Sequence, residues 1–513
     1  MTKDAHLISL KHTLAWKGRC RLRVELQKHA IRFLFVLAVI STYLSVDVAK
    51  GSERRQDAIN GNVGCISYDG NDGVFSLVCS NWDLTSPSTN FDMDMDDYIT
   101  LEKNEIFEGQ DNEVTLSGNY GGMFRIASFG DDAPSSLDDA PIIRHVHMIG
   151  GTTKERQGFV VQKNQQHFIV DSCSTTGEIK GDESGGICGT ECLGDILITN
   201  CLSSGDITAL HAGGITGARI GFNGNNGNTK VKITRCHSKG EITSTGAGGI
   251  CGSGAAKRGH LVITHSYSTG TINGWKSGGI CGSNAGIQNG LVEIEQCHSE
   301  GEISADRSGG ITGDSTGIGD GKVCITNSYS RGDITGGDNA GGVCGKFTAW
   351  NGGIIIIKNV YASGKIIGHN AGGIIGETAS SASEVKVTMS VYNGDNGPIA
   401  GAGSLAEFKN SNDLDNITSR IYCYENDPTY CWNSTIWFAV PNNFPILQPP
   451  PTQTPSATLT VTNTPTTTGA CSRWPSLTNT PRTSGTSSAA RTGTPTPTNT
   501  VSETTALFVL VYV

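Results

Sequence analysis

The sequence predicts an all-β protein built around a β-solenoid, or β-helix, with coils of about 30 residues. One phrase, Gly-Gly-Ile/Val-x-Gly, recurs at intervals of 28 to 35 residues. Its copies begin at Gly185, Gly213, Gly248, Gly278, Gly309, Gly341 and Gly372. A second phrase, Cys/Ser-x-Ser-x-Gly-x-Ile, lies between the copies and follows stretches of alternating apolar residues. Such a period is typical of solenoids, and alternation with a period of two is typical of strands.

Each repeat offers three short strands joined by glycine-rich corners. The alternating stretches include Val231–Ile233, Val292–Ile294 and Val323–Ile325, and each phrase supplies a further strand. A corner that needs a left-handed backbone accepts glycine at little steric cost. This need predicts corner positions for many of the 68 glycines.

Two positions of the repeat hold small or medium-sized residues in every copy, and stacking of the coils would align each set into a column. The variable position of the first phrase holds Cys188, Thr216, Cys251, Cys281, Thr312, Cys344 and Ile375. The head of the second phrase holds Cys173, Cys201, Cys236, Ser266, Cys297, Ser328 and Val360. Interchange among Cys, Thr, Ser, Val and Ile favours stacked inward positions over a set of ligands.

These interleaved phrases resemble GLUG-motif repeats, which occur in microbial surface and adhesin-like proteins. The resemblance covers roughly Asp171 to Gly401. It implies a right-handed solenoid, in agreement with the general preference for right-handed crossovers, and a role in surface adhesion or as a companion of secreted proteases. It transfers no catalytic residue. The chain departs from the family phrase by having Cys or Thr where an apolar residue is usual, and interior stacking accommodates that change.

Composition divides the chain into six segments. They are a signal peptide or signal-anchor (1–50), an N-terminal cap with irregular coils (51–170), the GLUG-like solenoid (171–401), a C-terminal capping segment (402–448), a Ser/Thr/Pro-rich stalk (449–505) and a short apolar tail (506–513). Off-period apolar runs in the second segment predict strands. Such a cap is expected because the open ends of a solenoid otherwise pair with other molecules.

The first 50 residues predict export. Nine Lys and Arg residues face three acidic ones, and the apolar run Phe33–Val46 follows the basic stretch. About 14 apolar residues match a signal-peptide core better than a spanning helix of about 20. A buried soluble helix is the alternative, but it leaves the upstream basic cluster unexplained. We expect a secreted or cell-surface protein that contacts a membrane only through this segment.

The charge balance excludes some partners. The whole chain carries a net charge of −10, and residues 51–513 contain 29 Lys and Arg against 45 Asp and Glu. Nucleic acid requires basic patches, so it is not an expected partner. An acidic surface also disfavours electrostatic binding to anionic lipid.

The C-terminal residues predict a disordered stalk. Ser, Thr and Pro make up 36 of the 57 residues of the stalk, which cannot bury a core. The eight apolar residues after it are too few to span a bilayer. Whether they belong to a truncated anchor stays open.

An acidic row and a ring row recur within the repeats. The acidic row precedes the conserved Ile and comprises Glu178, Asp206, Glu241, Glu302 and Asp333. The ring row lies three residues before the Gly of the second phrase and comprises His237, Tyr267, His298, Tyr329 and Tyr361. Stacked coils place like charges about 4.8 Å apart, which predicts a solvated outward row. Structural stacking is the favoured interpretation of the rings; binding of sugars, or of calcium by the acidic row, is the alternative for both.

Metal binding has one weak candidate. Asp92, Asp94, Asp96 and Asp97 show the D-x-D-x-D spacing of some calcium loops, but no suitable Gly and Glu follow. A solvated acidic turn is the favoured interpretation. Cys188 and Cys192 have metal-like spacing but lack a second ligand pair, so zinc is not expected. We expect no cofactor, and calcium is the alternative that stays open.

Export predicts covalent modification as well. Disulfides persist outside the cytosol, and the sequence-local pairs Cys65–Cys79 and Cys423–Cys431 are the candidates. Asn416 and Asn433 begin glycosylation sequons, which matter in a eukaryotic host.

No catalytic set is found: the chain has no H-E-x-x-H or GxxxxGK[ST] phrase, and its one G-x-S-x-G match, Gly313–Gly317, falls on the glycine-rich repeats. The leading hypothesis is therefore a non-enzymatic adhesin-like protein that presents a repetitive surface to glycans or partner cells. The alternatives are a structural component of a wall or particle coat, and a polysaccharide-active β-helix enzyme, a lyase or epimerase. The enzyme hypothesis requires convergent carboxylates beside a Lys, Arg or His.

Overall fold

The computed structural model describes residues 65–84, 98–127, 132–163, 165–222, 229–335, 337–365, 367–377, 384–388, 391–392, 400–402, 435–438 and 446–449. These residues belong to one compact unit, Met1–Ser472. The regular secondary structure in these ranges is all β-strand, without a helix. The all-β prediction is confirmed.

The strands before the regular repeats include two long ones. They are β1 (Ile66–Asp69), β2 (Val74–Leu77), β3 (Asn81–Asp83), β4 (Ile99–Leu101), β5 (Ile106–Tyr120), β6 (Phe124–Ile126) and β7 (Ile142–Thr153). In the repeats, strands of four or five residues alternate with strands of two. They are β8 (Phe168–Asp171), β9 (Ser174–Thr175), β10 (Ile196–Thr199), β11 (Leu202–Ser203), β12 (Lys230–Thr234), β13 (His237–Ser238), β14 (His260–Thr264), β15 (Tyr267–Ser268), β16 (Leu291–Glu295), β17 (His298–Ser299), β18 (Lys322–Thr326), β19 (Tyr329–Ser330), β20 (Ile354–Lys358) and β21 (Tyr361–Ala362).

Short strands complete the described part of the chain. They are β22 (Ile375–Glu377), β23 (Glu384–Thr388), β24 (Val391–Tyr392), β25 (Ala400–Ala402), β26 (Trp437–Phe438) and β27 (Ile446–Leu447). The last two form an antiparallel pair. At the other end, β1 pairs antiparallel with β2, and a disulfide joins Cys65 to Cys79 across that hairpin. The predicted Cys65–Cys79 disulfide is confirmed.

Parallel pairing stacks the strands into three principal ladders. The first runs β2–β5–β7–β8–β10–β12–β14–β16–β18–β20–β23. The second runs β3–β5–β7–β9–β11–β13–β15–β17–β19–β21–β24. The third begins at β4–β6, continues through bridges between the first phrases and ends at β22–β25. The chain is therefore a β-solenoid, as the repeats predict; its handedness stays a prediction.

The two columns of small residues line the interior. Cys188, Thr216, Cys251, Cys281, Thr312 and Cys344 form one run of parallel bridges, and all are fully buried. Burial raises the pKa of Cys297 and of Cys344 to about 12, so these thiols stay protonated and behave as small apolar groups.

The glycines of the first repeated phrase are required by close packing and not by the geometry of the corners. None of those beginning the seven copies has a positive φ. Instead, a Cβ added at Gly249 would collide with the side chain of Ser268 and the carbonyl of Gly279. The corner before the second phrase is left-handed at Asn200, Arg235 and their equivalents, which are not glycine. The expectation that left-handed corners explain the phrase glycines is wrong, because backbone approaches backbone there too closely for any side chain.

Candidate functional site

The acidic row forms a ladder on the surface. Asp206 and Glu302 are exposed, whereas Glu178, Glu241 and Asp333 are half-buried. Backbone N–H groups of neighbouring coils donate hydrogen bonds to these carboxylates. The Glu241 N–H donates to Asp206 Oδ1 (3.0 Å), and the Lys365 N–H donates to Asp333 Oδ1 (2.7 Å). The row therefore lies at the surface, and its carboxylates accept hydrogen bonds along the coil stack.

The ring row forms one continuous stack. The centroids of successive rings from His237 through Tyr267, His298 and Tyr329 to Tyr361 lie 4.0, 4.7, 4.6 and 4.9 Å apart. The last three ring pairs are nearly parallel, within 13°. A sugar packs on the face of a ring, and here each inner ring has both faces against its neighbours. The stack thus presents ring edges outward and offers no free platform along its length.

Trp437 of β26 covers the C-terminal part of this stack. Its ring centroid lies 5.8 Å from that of Tyr361 and 6.3 Å from that of Tyr329. Trp437 is 1% exposed, and Tyr329 and Tyr361 are buried with it. Burial raises the pKa of Tyr329 to about 12. These two tyrosines belong to the core and are closed to a ligand.

Toward the N-terminus, the column of the ring row continues with residues of other types. His147 of β7 aligns with Ser174 of β9, which aligns with Leu202 before the rings begin. Ser174 Oγ lies 2.7 Å from His147 Nδ1, and His147 Nε2 lies 3.3 Å from Asp111 Oδ1. Asp111 sits at a register shift in β5 with φ 57°, which turns it toward β7. Sequence reasoning missed this series because Asp111 lies off the repeat period.

A closed ion-pair cluster lies at the first repeat. Arg156 contacts Glu183 (3.2 Å) and Glu191 (2.5 Å), and Arg219 contacts the same two glutamates at 2.5 and 2.9 Å. This is a convergence of carboxylates and arginines of the kind that the enzyme hypothesis requires. Each carboxylate is already held by two guanidinium groups, however, so neither glutamate is available as a base.

Exposed aromatic side chains converge at a later corner. Trp275 is 45% exposed and Trp350 is 51% exposed. Arg307 links them: its guanidinium lies 5.4 Å from the centroid of Trp275 and 5.3 Å from that of Phe347, whose ring lies 6.0 Å from Trp350. Lys276 Nζ lies 4.1 Å from the Trp275 centroid. We call these five residues the Trp275 corner.

The backbone explains why these side chains meet. Lys276, Arg307 and Phe347 have left-handed φ values of 63°, 59° and 54° at coil corners. The N–H of Lys276 donates to the Asp306 carbonyl (3.0 Å), and the N–H of Lys346, next to Phe347, donates to the Arg307 carbonyl (3.4 Å). Successive coils therefore place these residues one above another.

A buried carboxylate organises the cations of the Trp275 corner. Asp314 is 1% exposed, and its Oδ2 lies 3.6 Å from Lys276 Nζ and 3.8 Å from Arg307 Nη1. Its Oδ1 makes no hydrogen bond of standard geometry in the described chain. Burial raises the pKa of Asp314, while the nearby Lys276 and Arg307 oppose that rise. The carboxylate fixes both cations beside the Trp275 ring.

The Trp275 corner could not be read from the repeat columns. Its aromatic residues occur once each at positions that other coils fill differently: Leu210, Thr245 and Asp306 are the equivalents of Trp275. The one available signal was the rarity of Trp in a repeat region poor in aromatic residues.

Other predicted sites lie outside the described residues. These are the calcium candidate (Asp92, Asp94, Asp96 and Asp97), the Cys423–Cys431 pair and the sequons at Asn416 and Asn433. Within the part that is described, no group of three or more His, Cys, Asp or Glu side chains is arranged to hold a metal ion. Cys188 Sγ and Cys192 Sγ lie 2.9 Å apart, both fully buried.

The architecture defines the class of protein as a β-solenoid, and comparison with known proteins adds little. No family model matches the chain, and no curated protein matches it. One solved structure is similar, described as a "putative immunoglobulin A1 protease" from Bacteroides ovatus. It is 17% identical, with a TM-score of 0.27, over 67% of this chain and 76% of that one. No helix long and apolar enough to cross a membrane occurs in the described ranges.

Proposed function

We propose that this chain is a non-enzymatic, adhesin-like protein of the GLUG-repeat type that binds glycans through the Trp275 corner. The observation that carries the proposal is the pair of exposed indoles, 45% and 51% exposed, joined through Arg307 and Phe347. Aromatic faces bordered by a few fixed polar groups are the usual make-up of a ligand site. The ring row differs, because its inner rings lie between two other rings, whereas Trp275 and Trp350 keep about half of their surface exposed.

Display at the cell surface completes the proposal. The basic and apolar N-terminal residues favour export, and the Ser/Thr/Pro-rich segment favours a stalk. Several copies on one cell would bind a multivalent glycan far more tightly than one copy does. Surface labelling of intact host cells tests display; protein found only in the cytosol would contradict it.

A glycan array tests the binding. The full chain is compared with Trp275→Ala and with Leu210→Ala as the matched control. Leu210 is also 45% exposed and occupies the equivalent corner position two coils away. We expect saturable binding by the full chain, its loss in Trp275→Ala and its retention in Leu210→Ala. Equal loss in both variants would contradict a site at the Trp275 corner.

Absence of any glycan binding would favour the structural alternative, in which the solenoid is a component of a wall or coat. Assembly of the purified chain into regular particles or sheets would support that alternative. Saturable binding of a defined ligand would count against it.

A second candidate function is hydrolysis, favoured by the Ser174–His147–Asp111 series. A nucleophile, a base and an orienting carboxylate linked by hydrogen bonds are the recurring parts of acyl-transfer sites. Ser174 Oγ would bond to the acyl carbon while its proton moves to His147 and then to the departing alcohol; water would release the acid. A fluorophosphonate probe should then label Ser174 in the full chain and spare a His147→Gln variant. No labelling of Ser174 would remove this candidate.

A further inference from the structure

In the described part of the chain, three cations at or next to the Trp275 corner lie among four carboxylates. Lys276 and Arg307 share Asp314, and Lys346 Nζ lies 2.8 Å from Glu377 Oε2. The exposed Asp306 and Asp338 lie on the same rim, where the Asp338 N–H donates to Asp306 Oδ1 (2.9 Å). With a net charge of −10 on the whole chain, this surface has no surplus of positive charge to attract an anion. The charge pattern therefore favours a neutral ligand.

The polar groups that remain suit hydroxyl groups. Lys276 and Arg307 carry N–H donors in excess of those that Asp314 uses, and Asp306 offers carboxylate oxygens as acceptors. The two cations lie over the Trp275 ring, 4.1 and 5.4 Å from its centroid, so N–H donors border the exposed indole. A sugar ring presents a similar mixture: C–H groups on its face, and hydroxyl groups on its rim that both donate and accept.

The spacing of the Trp275 corner sets the direction of the ligand. Trp275, Arg307 and Phe347 come from three successive coils, which the bridges Gly278↔Gly309↔Gly341 identify. Stacked coils repeat about every 4.8 Å. That repeat is close to the length of one pyranose unit in an extended chain. A linear oligosaccharide lying along the coil stack would therefore place successive sugar units over successive coils.

We infer that the Trp275 corner binds a neutral, extended oligosaccharide that lies along the coil stack from Trp275 to Trp350. The inference rests on the proposed function and names its ligand class. Asp314 acts as a positioning residue, since its carboxylate holds Lys276 and Arg307 over the Trp275 ring and offsets one of their two charges. Trp275 and Trp350 hold the two ends of the chain.

Titration calorimetry of the full chain tests the inference. The probes are neutral oligomers of glucose, N-acetylglucosamine, mannose and xylose with one to six units, and oligogalacturonates and heparin fragments as anionic counterparts. We expect one neutral series to bind, with affinity rising roughly tenfold in all from one unit to three, or about 1.4 kcal/mol, and then levelling. Binding should change little between low and high salt.

Variants locate the two ends of the ligand. Trp350→Ala should abolish the gain of the longer oligomers while leaving the affinity for the shortest one unchanged, and Trp275→Ala should weaken every length. Asp314→Asn should remove the carboxylate that Lys276 and Arg307 share and raise affinity for oligogalacturonate relative to the neutral series. Circular dichroism confirms that each variant is folded, and Leu210→Ala serves as the control.

The outcomes separate the inference from the function on which it rests. Stronger binding of the anionic probes by the unaltered chain, or affinity independent of oligomer length, would overturn the neutral extended ligand while leaving glycan binding in place. Failure of every probe here, together with an empty glycan array, would overturn both.

Discussion

The second glycine of one repeated phrase, Gly279, packs against the buried serine of the other phrase, Ser299. A Cβ on Gly279 would lie 2.6 Å from the Cβ of Ser299 and closer still to its hydroxyl. The same relationship joins Gly249 to Ser268 and Gly310 to Ser330. The two phrases recur together because they fill one interior space in each coil.

This packing predicts that Gly279→Ala destabilises the solenoid. The added methyl collides with Ser299 and with the carbonyl of Gly310, and relief of such overpacking typically costs about 1–3 kcal/mol. Thermal melting by circular dichroism measures the effect. Gly70→Ala is the control, because the nearest atom to its added Cβ, in the Tyr68 ring, is 3.6 Å away. Equal melting temperatures for the two variants would refute the packing argument.

Trp437 should stabilise the C-terminal coils through the ring stack. Truncating a fully buried Trp typically costs about 3–5 kcal/mol, and Trp437→Ala uncovers Tyr329 and Tyr361. Hydrogen exchange should rise in β19 and β21 and stay unchanged in β12. The neighbouring Phe438 is 52% exposed, so Phe438→Ala should change little. Similar hydrogen exchange in both variants would show that Trp437 does not protect the C-terminal part of the ring stack.

Acid should weaken the ring stack through His298. Burial, with help from Arg331 and His237, lowers the pKa of His298 to about 3 from an ordinary value of 6.5. Between pH 6.5 and pH 3 the His298 imidazole is protonated in the unfolded chain but not in the folded one. The free energy of unfolding therefore has its full value above about pH 6.5 and falls as the pH drops toward 3. The loss approaches about 1.4 kcal/mol per pH unit.

Urea unfolding between pH 7 and pH 4 measures this dependence. His298→Tyr matches Tyr267 and Tyr329 in the stack and should flatten the pH dependence. His369, whose side chain is 77% exposed, provides the control, and His369→Tyr should leave the slope unchanged. An identical slope in His298→Tyr and the unaltered chain would contradict the role of His298.

The Cys65–Cys79 disulfide should hold the N-terminal hairpin together. It closes a loop with a sequence separation of 14, for which the loss of unfolded-state entropy amounts to about 3 kcal/mol. Replacing both cysteines with Ser should raise hydrogen exchange in β1 and β2 and leave β14 and β16 unaffected. Unchanged hydrogen exchange in the hairpin would mean that the packing of Phe75 and Leu77 holds β1 and β2 together without the disulfide.

The regular coils were predictable because they repeat. The strands at Val231, Val292 and Val323, the inward cysteine column and the alignment of the ring row all follow from residues that recur at one period. A solenoid coil contacts only its neighbours, so local pattern and global stacking carry the same information.

The Trp275 corner and the Ser174–His147–Asp111 series were not predictable. Trp275, Arg307 and Phe347 come from three coils and share no motif, and Asp111 reaches His147 only through a register shift in β5. Whether an aromatic side chain is exposed or stacked between other rings was equally hidden, since Tyr267 and Trp275 are both aromatic residues near a coil corner.

The sequence by itself determined that the chain is an all-β solenoid with interior columns of Cys, Thr and Ile, because burial and strand alternation repeat with every coil. It also favoured the pairing of Cys65 with Cys79, which are close along the chain, and the structure confirms that pair. Only the tertiary structure decided which rings are closed to a ligand and which cations lie beside a carboxylate. Those properties depend on distances between side chains of different coils, and such distances are set by packing rather than by the spacing of residues along the chain.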